Sequence, residues 1–213
     1  MRLRTLIPVA SGFLLLSGLA CGGGSKSASA TSVAPAATGL AYTNPTSTGW
    51  RFVKDGSSTS TRLVLNLVGP AGLMTRGVGF NLQAPEGVKF EAFANGLPIQ
   101  DTGVYQLQAV GSADPTEPVA MTGGVKRGNL LSVGIYQKDR GQGAKDSGAA
   151  LCQIALSLDA TAHLSSGAAL TLSVPKAKAI PEDIGAITDD QQTLDRKMRM
   201  TDLTIALGTL TAN

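Results

Sequence analysis

Residues 77–92, GVGFNLQAPEGVKFEA, contain the pattern that decides the fold. Apolar side chains alternate with small or polar ones on both sides of a turn: Val78, Phe80 and Leu82 before it, and Val88, Phe90 and Ala92 after it. The intervening residues 84–87, APEG, supply the Pro and Gly that favour a tight turn. Because alternation with a period of two is typical of strands that bury one face, the stretch predicts two antiparallel strands.

The same alternation recurs along the chain, separated by Gly, Pro, Asp and Asn. Its apolar positions are Trp50 and Phe52; Leu63, Leu65 and Leu67; Tyr105, Leu107 and Ala109; Leu131, Val133 and Ile135; Cys152, Ile154, Leu156 and Leu158; Leu170, Leu172 and Val174; and Leu203, Ile205 and Leu207. Gly123-Gly124 is predicted to form a turn, and only residues 188–197 are predicted to be helical. Many short strands without long helices predict an all-β, antiparallel β-sandwich over residues 46–213.

Residues 1–20 have the features of a secretory signal peptide. Arg2 and Arg4 give a positive start, and a run of leucines and small residues follows up to Ala20. This run of roughly 15 residues is shorter than the about 20 that a transmembrane helix needs. Its length and its charged flank favour a signal peptide, so we expect export of the chain.

The segment Gly18-Leu19-Ala20-Cys21 resembles the lipobox of bacterial lipoproteins, with the Leu and the small residue exchanged relative to the usual order. The resemblance implies that Cys21 becomes the N-terminus and carries a diacylglyceryl thioether and commonly an amide-linked chain such as palmitate. Two or more acyl chains anchor a protein stably. Gly22, where sorted lipoproteins can carry Asp, implies the outer membrane of the cell envelope. The alternative is a cleaved, soluble secreted protein.

Residues 21–45 are predicted to hold the lipidated cysteine and a flexible linker. Gly, Ser, Ala and Thr dominate residues 22–44, and charges are nearly absent. A flexible chain of this length has a root-mean-square span of roughly 25 Å. The linker would therefore let the folded domain clear the lipid headgroups.

The charge of the chain bears on nucleic-acid binding, and its cysteine content bears on disulfide formation. Without Arg2 and Arg4, 16 of the 18 basic side chains remain against 15 acidic ones, and they form no basic block, so no nucleic-acid partner is predicted. If Cys21 is acylated, Cys152 has no partner, and its place on the apolar face of a strand predicts a buried small side chain. If Cys21 is not acylated, a Cys21–Cys152 disulfide remains open.

The order of strands resembles that of cohesin-like and carbohydrate-binding-module-like β-sandwiches, which are also described as jelly-roll-like. The segments that carry this resemblance are LVLNLVG at 63–69, GVGFNLQAPEGVKFEAF at 77–93, GNLLSVGIY at 128–136, ALCQIALSLDA at 150–160 and LTLSVPKAKAIPEDIG at 170–185. The resemblance implies a module that is not an enzyme: cohesins hold a protein partner on one sheet face, and the carbohydrate modules bind sugars on aromatic platforms.

Three aromatic residues are the candidate binding residues. Tyr136 is out of phase with the apolar positions of its strand, so it is predicted to point outward beside the charged loop 138–146. Trp50 and Tyr105 are the other candidates, although Tyr105 shares the phase of the core positions. The sequence favours a protein-binding or scaffolding module at the envelope, with polysaccharide binding as the alternative.

The sequence gives little support for an enzyme or for a metal site. His163 lies in a predicted loop, and no G-x-S-x-G elbow is present for a hydrolytic enzyme. A single histidine and a buried Cys152 cannot form a tetrahedral zinc site. The carboxylates at Asp189 and Asp190 are placed to cap a helix, and their spacing matches no calcium loop, so neither a metal nor a cofactor is predicted.

Overall fold

The computed structural model describes residues 34–105, 120–137, 144–181 and 200–213, and these residues form strands and loops without a helix. No helix in this part of the chain is long and apolar enough to span a bilayer. The strands are β1 (Leu40–Thr43), β2 (Arg51–Lys54), β3 (Leu63–Val68), β4 (Met74–Gln83), β5 (Val88–Glu91), β6 (Ile99–Asp101), β7 (Ala120–Arg127), β8 (Leu130–Gln137), β9 (Lys145–Asp146), β10 (Cys152–Leu158), β11 (Ala169–Leu170), β12 (Ser173–Pro181), β13 (Thr201–Asp202) and β14 (Thr209–Ala212).

These strands form three antiparallel sheets. A five-stranded sheet has the order β2-β3-β10-β5, with β6 also paired to β10. A six-stranded sheet has the order β13-β12-β4-β8-β7, with β9 also paired to β4. A small third sheet has the order β1-β14-β11, so the first strand of the fold pairs with the last one.

The two large sheets pack face to face on one hydrophobic core, which confirms the predicted β-sandwich. Phe52 of β2 and Phe80 of β4 meet across it in an edge-to-face contact, with ring centroids 5.5 Å apart. The predicted alternation holds in β4 and β8, where the side chains of Val78, Phe80, Leu82, Leu131, Val133 and Ile135 are buried. Edge-to-face geometry is favourable for aromatic pairs and adds to the area that they bury.

β3 and β10 are buried on both faces. Leu63, Leu65 and Leu67 of β3 point to the core, and Val64 and Val68, on the opposite face, are buried as well. Ala155 of β10 is also fully buried on the outward side. Both strands lie in the middle of their sheet, and strands covered on two sides carry almost continuous apolar sequence.

The start of the domain differs from the predicted boundary at residue 46. β1, within the predicted linker 21–45, pairs with β14 along its whole length, from Leu40 opposite Ala212 to Thr43 opposite Thr209. Before it, the Ala37 N–H donates to the Leu164 carbonyl. The apolar residues of LAYT were too few to be recognised as a strand, but Leu40 and Tyr42 are buried in the core. The compact unit runs from Ala34 to Asn213.

A second correction concerns Gly123-Gly124. Both residues lie inside β7, where Gly123 pairs with Gly134 and Gly124 with Val133, and the chain turns instead at Gly128, whose φ is 59°. Several predictions fall outside the described residues: the signal peptide, Cys21, the linker up to residue 33, the strand positions Leu107 and Ala109, loop residues 138–143, and the helix 188–197 with its acidic residues.

The Tyr42 hydroxyl ties three segments of the chain together. It donates to the Phe52 carbonyl at 3.2 Å in a buried hydrogen bond, and it accepts from the Gly208 N–H at 2.6 Å in a partly buried one. The same burial raises the pKa of Tyr42. The hydroxyl therefore joins β1 and β2 to the segment that precedes β14.

We expect Tyr42→Phe to lower the free energy of unfolding by about 1–3 kcal/mol, because it removes the buried hydrogen bond to the Phe52 carbonyl and leaves the partly buried Gly208 N–H without its acceptor. Urea denaturation followed by tryptophan fluorescence measures this change. Tyr136→Phe is the matched control, since the Tyr136 hydroxyl makes no hydrogen bond within the described residues. Equal stability of the two variants would contradict the assigned role of Tyr42.

Candidate functional site

Two of the three aromatic residues that were predicted to bind a ligand are part of the core. Tyr105 is fully buried and its hydroxyl donates to the Thr75 carbonyl at 2.8 Å. Trp50 is 9% exposed and belongs to the same core cluster. A ring that is covered on both faces cannot stack on a sugar or meet a partner, so Trp50 and Tyr105 are corrected to structural residues.

Tyr136 is half-buried and lies on the outer face of the six-stranded sheet. Its neighbours Ile135 and Val133 point into the core, which is the alternation that the sequence predicted. The Tyr136 ring leans toward Gly134, where a methyl group would lie 3.1 Å from the ring carbon Cε1. The ring therefore covers a position that has no side chain of its own.

A row of three glycines crosses this face. Gly79 of β4 pairs with Gly134 of β8, and Gly134 pairs with Gly123 of β7. Because neighbouring strands are about 4.8 Å apart, the row is a strip without side chains roughly 10 Å long, and the Tyr136 ring covers its middle at Gly134. A methyl group at Gly79 would touch only the Val133 carbonyl, at 3.6 Å, so there the strip is open. We call these three residues the glycine row.

Polar side chains surround the glycine row. Lys178 of β12 pairs with Gly79 in register, and its Nζ lies 2.8 Å from Oδ1 of Asp202. This cation lowers the pKa of the exposed Asp202 carboxyl. Along one side of the row, Ser132 and Lys176 both pair with Asn81, and both are exposed. The outer face thus combines one aromatic ring, an open backbone position at Gly79 and polar side chains next to the row.

A different kind of site lies on the five-stranded sheet, where β5 and β10 end. It is a polar cleft of about 500 Å³ that is lined by Arg62, Lys89, Glu91, Ser157 and Asp159, with Ala37, Thr38 and Ala162 among its other walls. The Ser157 hydroxyl donates to Glu91 Oε1 at 2.5 Å, and Lys89 Nζ lies 3.2 Å from the same oxygen. These contacts, led by the Ser157 hydrogen bond, lower the pKa of Glu91.

A second cleft of about 470 Å³ adjoins the first and contains His163. It shares Asp159 and Ala162 with the first cleft and adds Glu86, Asn129 and Leu164. His163 is exposed, in the loop that the sequence predicted. The Asp159 carboxylate accepts from the backbone N–H and the hydroxyl of Thr161, which lowers the pKa of Asp159 and fixes the wall between the clefts.

Cys152 and the carboxylates of the described residues show no sign of a metal centre. No group of three or more His, Cys, Asp or Glu side chains comes together in residues 34–105, 120–137, 144–181 and 200–213. Cys152 is fully buried as a free thiol, and burial raises its pKa, which disfavours the reactive thiolate. Its predicted structural role is confirmed.

Neither surface could be predicted in full from the sequence. The clefts draw on segments far apart in the chain, so no local motif marks them. The alternation of β5 indicates that Lys89 and Glu91 point outward. It does not indicate that they lie close to Arg62 and Ser157. The glycine row did leave a signal, because Gly79 and Gly134 occupy outward positions of two clear strands.

Comparisons with known proteins find likeness in structure but not in sequence. No protein family and no curated protein matches the sequence. Among solved structures, the seventh ScaB type I cohesin from Pseudobacteroides cellulosolvens is similar, with 10% sequence identity and a TM-score of 0.41 over 74% of this chain and 86% of that chain. A likeness of this degree carries no information about function, so the proposals below rest on the surfaces of this chain.

The Glu91 contacts predict a pH-dependent contribution to stability. A carboxyl whose pKa falls below its ordinary value of 4.5 on folding stabilises the native state above that pH, and this stabilisation is lost as the pH falls through the lowered pKa. We expect Glu91→Gln to cost about 0.5–1 kcal/mol at neutral pH, because the group is partly exposed. The cost should disappear in strongly acidic buffer.

Urea denaturation of both forms at neutral and acidic pH measures this difference. Glu86→Gln is the matched control, since Glu86 makes no hydrogen bond or ion pair within the described residues, and it should leave the free energy of unfolding unchanged. A cost of Glu91→Gln that persists unchanged in acid would contradict the role of the ionised carboxylate.

Proposed function

We propose that this chain is a non-enzymatic protein-binding module that is held at a bacterial cell envelope by lipid on Cys21. The observation that carries the binding part is the glycine row with Tyr136 beside it. Because glycine has no Cβ, a partner can approach the sheet backbone closely there. The anchoring part rests on the signal peptide and on the lipobox-like segment that ends at Cys21.

The chemistry of the face supports a protein as the partner. Interfaces between proteins are enriched in aromatic residues at their centre and have a polar, hydrated rim. Tyr136 would supply the central ring, and Ser132, Asn81 and Lys176 would belong to the rim. The glycine row would receive an apolar side chain of the partner, which then packs against the Tyr136 ring.

Polysaccharide binding on this face has less support than it had from the sequence. That alternative relied on Trp50, Tyr105 and Tyr136 as stacking platforms, and burial removes the first two. A single half-buried ring gives one stacking position. A protein partner uses the whole width of the face, so it is the occupant that the surface favours.

Anchoring predicts a defined N-terminus. In protein purified from its native membranes, we expect mass spectrometry to find Cys21 as the first residue, with a diacylglyceryl group on sulfur, and Cys152 as an unmodified thiol. The Cys21→Ser form should lack the lipid and leave the membrane fraction. A native N-terminus without lipid, or a Cys21–Cys152 disulfide, would show that the protein is secreted in soluble form.

If a protein partner binds at the glycine row, a side chain placed in the row should abolish that binding. Gly79→Gln adds a side chain where the backbone is open, and replacing a glycine inside a strand should keep or raise the free energy of unfolding, by up to about 1 kcal/mol. A photo-crosslinking residue at Ser132 should capture a defined protein in intact cells, and Gly79→Gln should remove that adduct.

The same crosslinker at Lys54, an exposed position on the five-stranded sheet, is the matched control and should not give this adduct. The proposed face would be wrong if positions 54 and 132 captured the same proteins. It would also be wrong if the adduct at 132 survived Gly79→Gln in a protein of unchanged stability.

A further inference from the structure

We propose that the two adjoining polar clefts on the five-stranded sheet form a binding site for a neutral oligosaccharide. This site is separate from the face that carries Tyr136. The clefts measure about 500 and 470 Å³, within the range of roughly 300–1,000 Å³ typical of ligand sites. They share Asp159 and Ala162, so a linear ligand that fills one can continue past this wall into the other.

The polar groups of the first cleft are held in place before a ligand arrives. Ser157 and Lys89 both contact Oε1 of Glu91, and within the described residues Oε2 accepts no hydrogen bond. Oε2 is therefore available to accept from a ligand hydroxyl. Fixing a polar group in advance reduces the conformational entropy that is lost on binding, and it is the arrangement expected of a recognition site.

Arg62 is held on the other side of this cleft. Its guanidinium carbon lies 4.8 Å from the centre of the Phe93 ring, and its Nη2 donates to the Ala92 carbonyl at 3.3 Å. These contacts restrain a side chain that is otherwise long and mobile. Its remaining N–H donors then complement the acceptor that Glu91 offers, so one cleft presents both kinds of hydrogen-bonding group.

The balance of charge selects the class of ligand. Arg62 and Lys89 face Glu91 and Asp159 in the first cleft, and the second cleft adds Glu86 beside His163. An anionic ligand would find no excess of positive charge here. Hydroxyl groups donate and accept at once, so a neutral polyol can use carboxylates and cationic donors together. The small walls formed by Ala37 and Ala162 suit the C–H faces of sugar rings.

The test uses the full chain with Cys21→Ser and four tetrasaccharides: cellotetraose, maltotetraose, N,N′,N″,N‴-tetraacetylchitotetraose and the charged tetragalacturonate. Ligand-observed NMR and calorimetric titration measure binding, for which we expect a dissociation constant of about 1 mM or tighter for at least one neutral member. Glu91→Gln should weaken that binding at least about tenfold, because it removes a charged acceptor.

A second cleft variant and two controls make the result specific. Asp159→Asn keeps an oxygen for the Thr161 hydrogen bonds but removes the shared charge, and it should weaken binding by a similar factor. Lys54→Gln, outside both clefts, and Gly79→Gln, on the opposite sheet, should leave the affinity within about twofold. Thermal denaturation of each variant confirms that it is folded.

Four results would overturn the proposal. In the first, no neutral tetrasaccharide binds at millimolar concentration. In the second, tetragalacturonate binds more tightly than every neutral member. In the third, a neutral sugar binds but both folded cleft variants retain full affinity. Loss of sugar binding in Gly79→Gln alone would place the sugar on the Tyr136 face and would therefore also contradict the cleft.

Discussion

The pairing of β10 with β3 is the constraint on which the rest of the domain depends. β10 is bonded to β3 on one side and to β5 and β6 on the other, and it is buried on both faces. A register slip by one residue would turn Cys152 and Ile154 away from the core and place Gln153 inside it. The same register sets Ser157 opposite Lys89, so the geometry of the polar cleft follows from the packing of the core.

The two surfaces belong to different sheets and differ in chemistry. The glycine row and Tyr136 lie on the six-stranded sheet, where missing side chains leave the backbone open. The clefts lie where β5 and β10 of the five-stranded sheet end, and the second one extends to Asn129 in the turn between β7 and β8. Because the shared core separates the two outer faces, a ligand on one need not displace a ligand on the other. The two proposals together describe a module that joins a protein to a saccharide.

Much of the fold could be predicted from the sequence because a period of two is a local property. The strands around Leu65, Phe80, Val133 and Ile154 followed from it directly. The first strand did not, because Leu40 and Tyr42 are only two apolar residues in a run of small ones, and their partner strand lies at the other end of the chain. The prediction of a turn at Gly123-Gly124 is wrong. It relied on the frequency of glycine in turns, whereas Gly123 lies inside β7 and pairs with Gly134 of β8.

The candidate sites were predicted less well, for a related reason. The phase of a strand gives the face of a side chain, which placed Tyr136 outward and Tyr105 inward. Phase alone does not show how completely the rest of the chain covers a side chain, so Trp50 remained a candidate binding residue. Nor does phase show which outward residues of separate strands meet, so the contact of Glu91 with Ser157 became visible only in the folded chain.

The pairing of β1 with β14 has a consequence for biosynthesis. Leu40 leaves the ribosome well before its partner Ala212 is made. Contacts between such distant segments form slowly, because a long loop must close first. If the chain is exported from its N-terminus, β1 reaches the far side of the membrane well before β14. The sandwich is then completed only after β14 has crossed as well, and until that moment the edge of β1 must be kept from pairing with other chains.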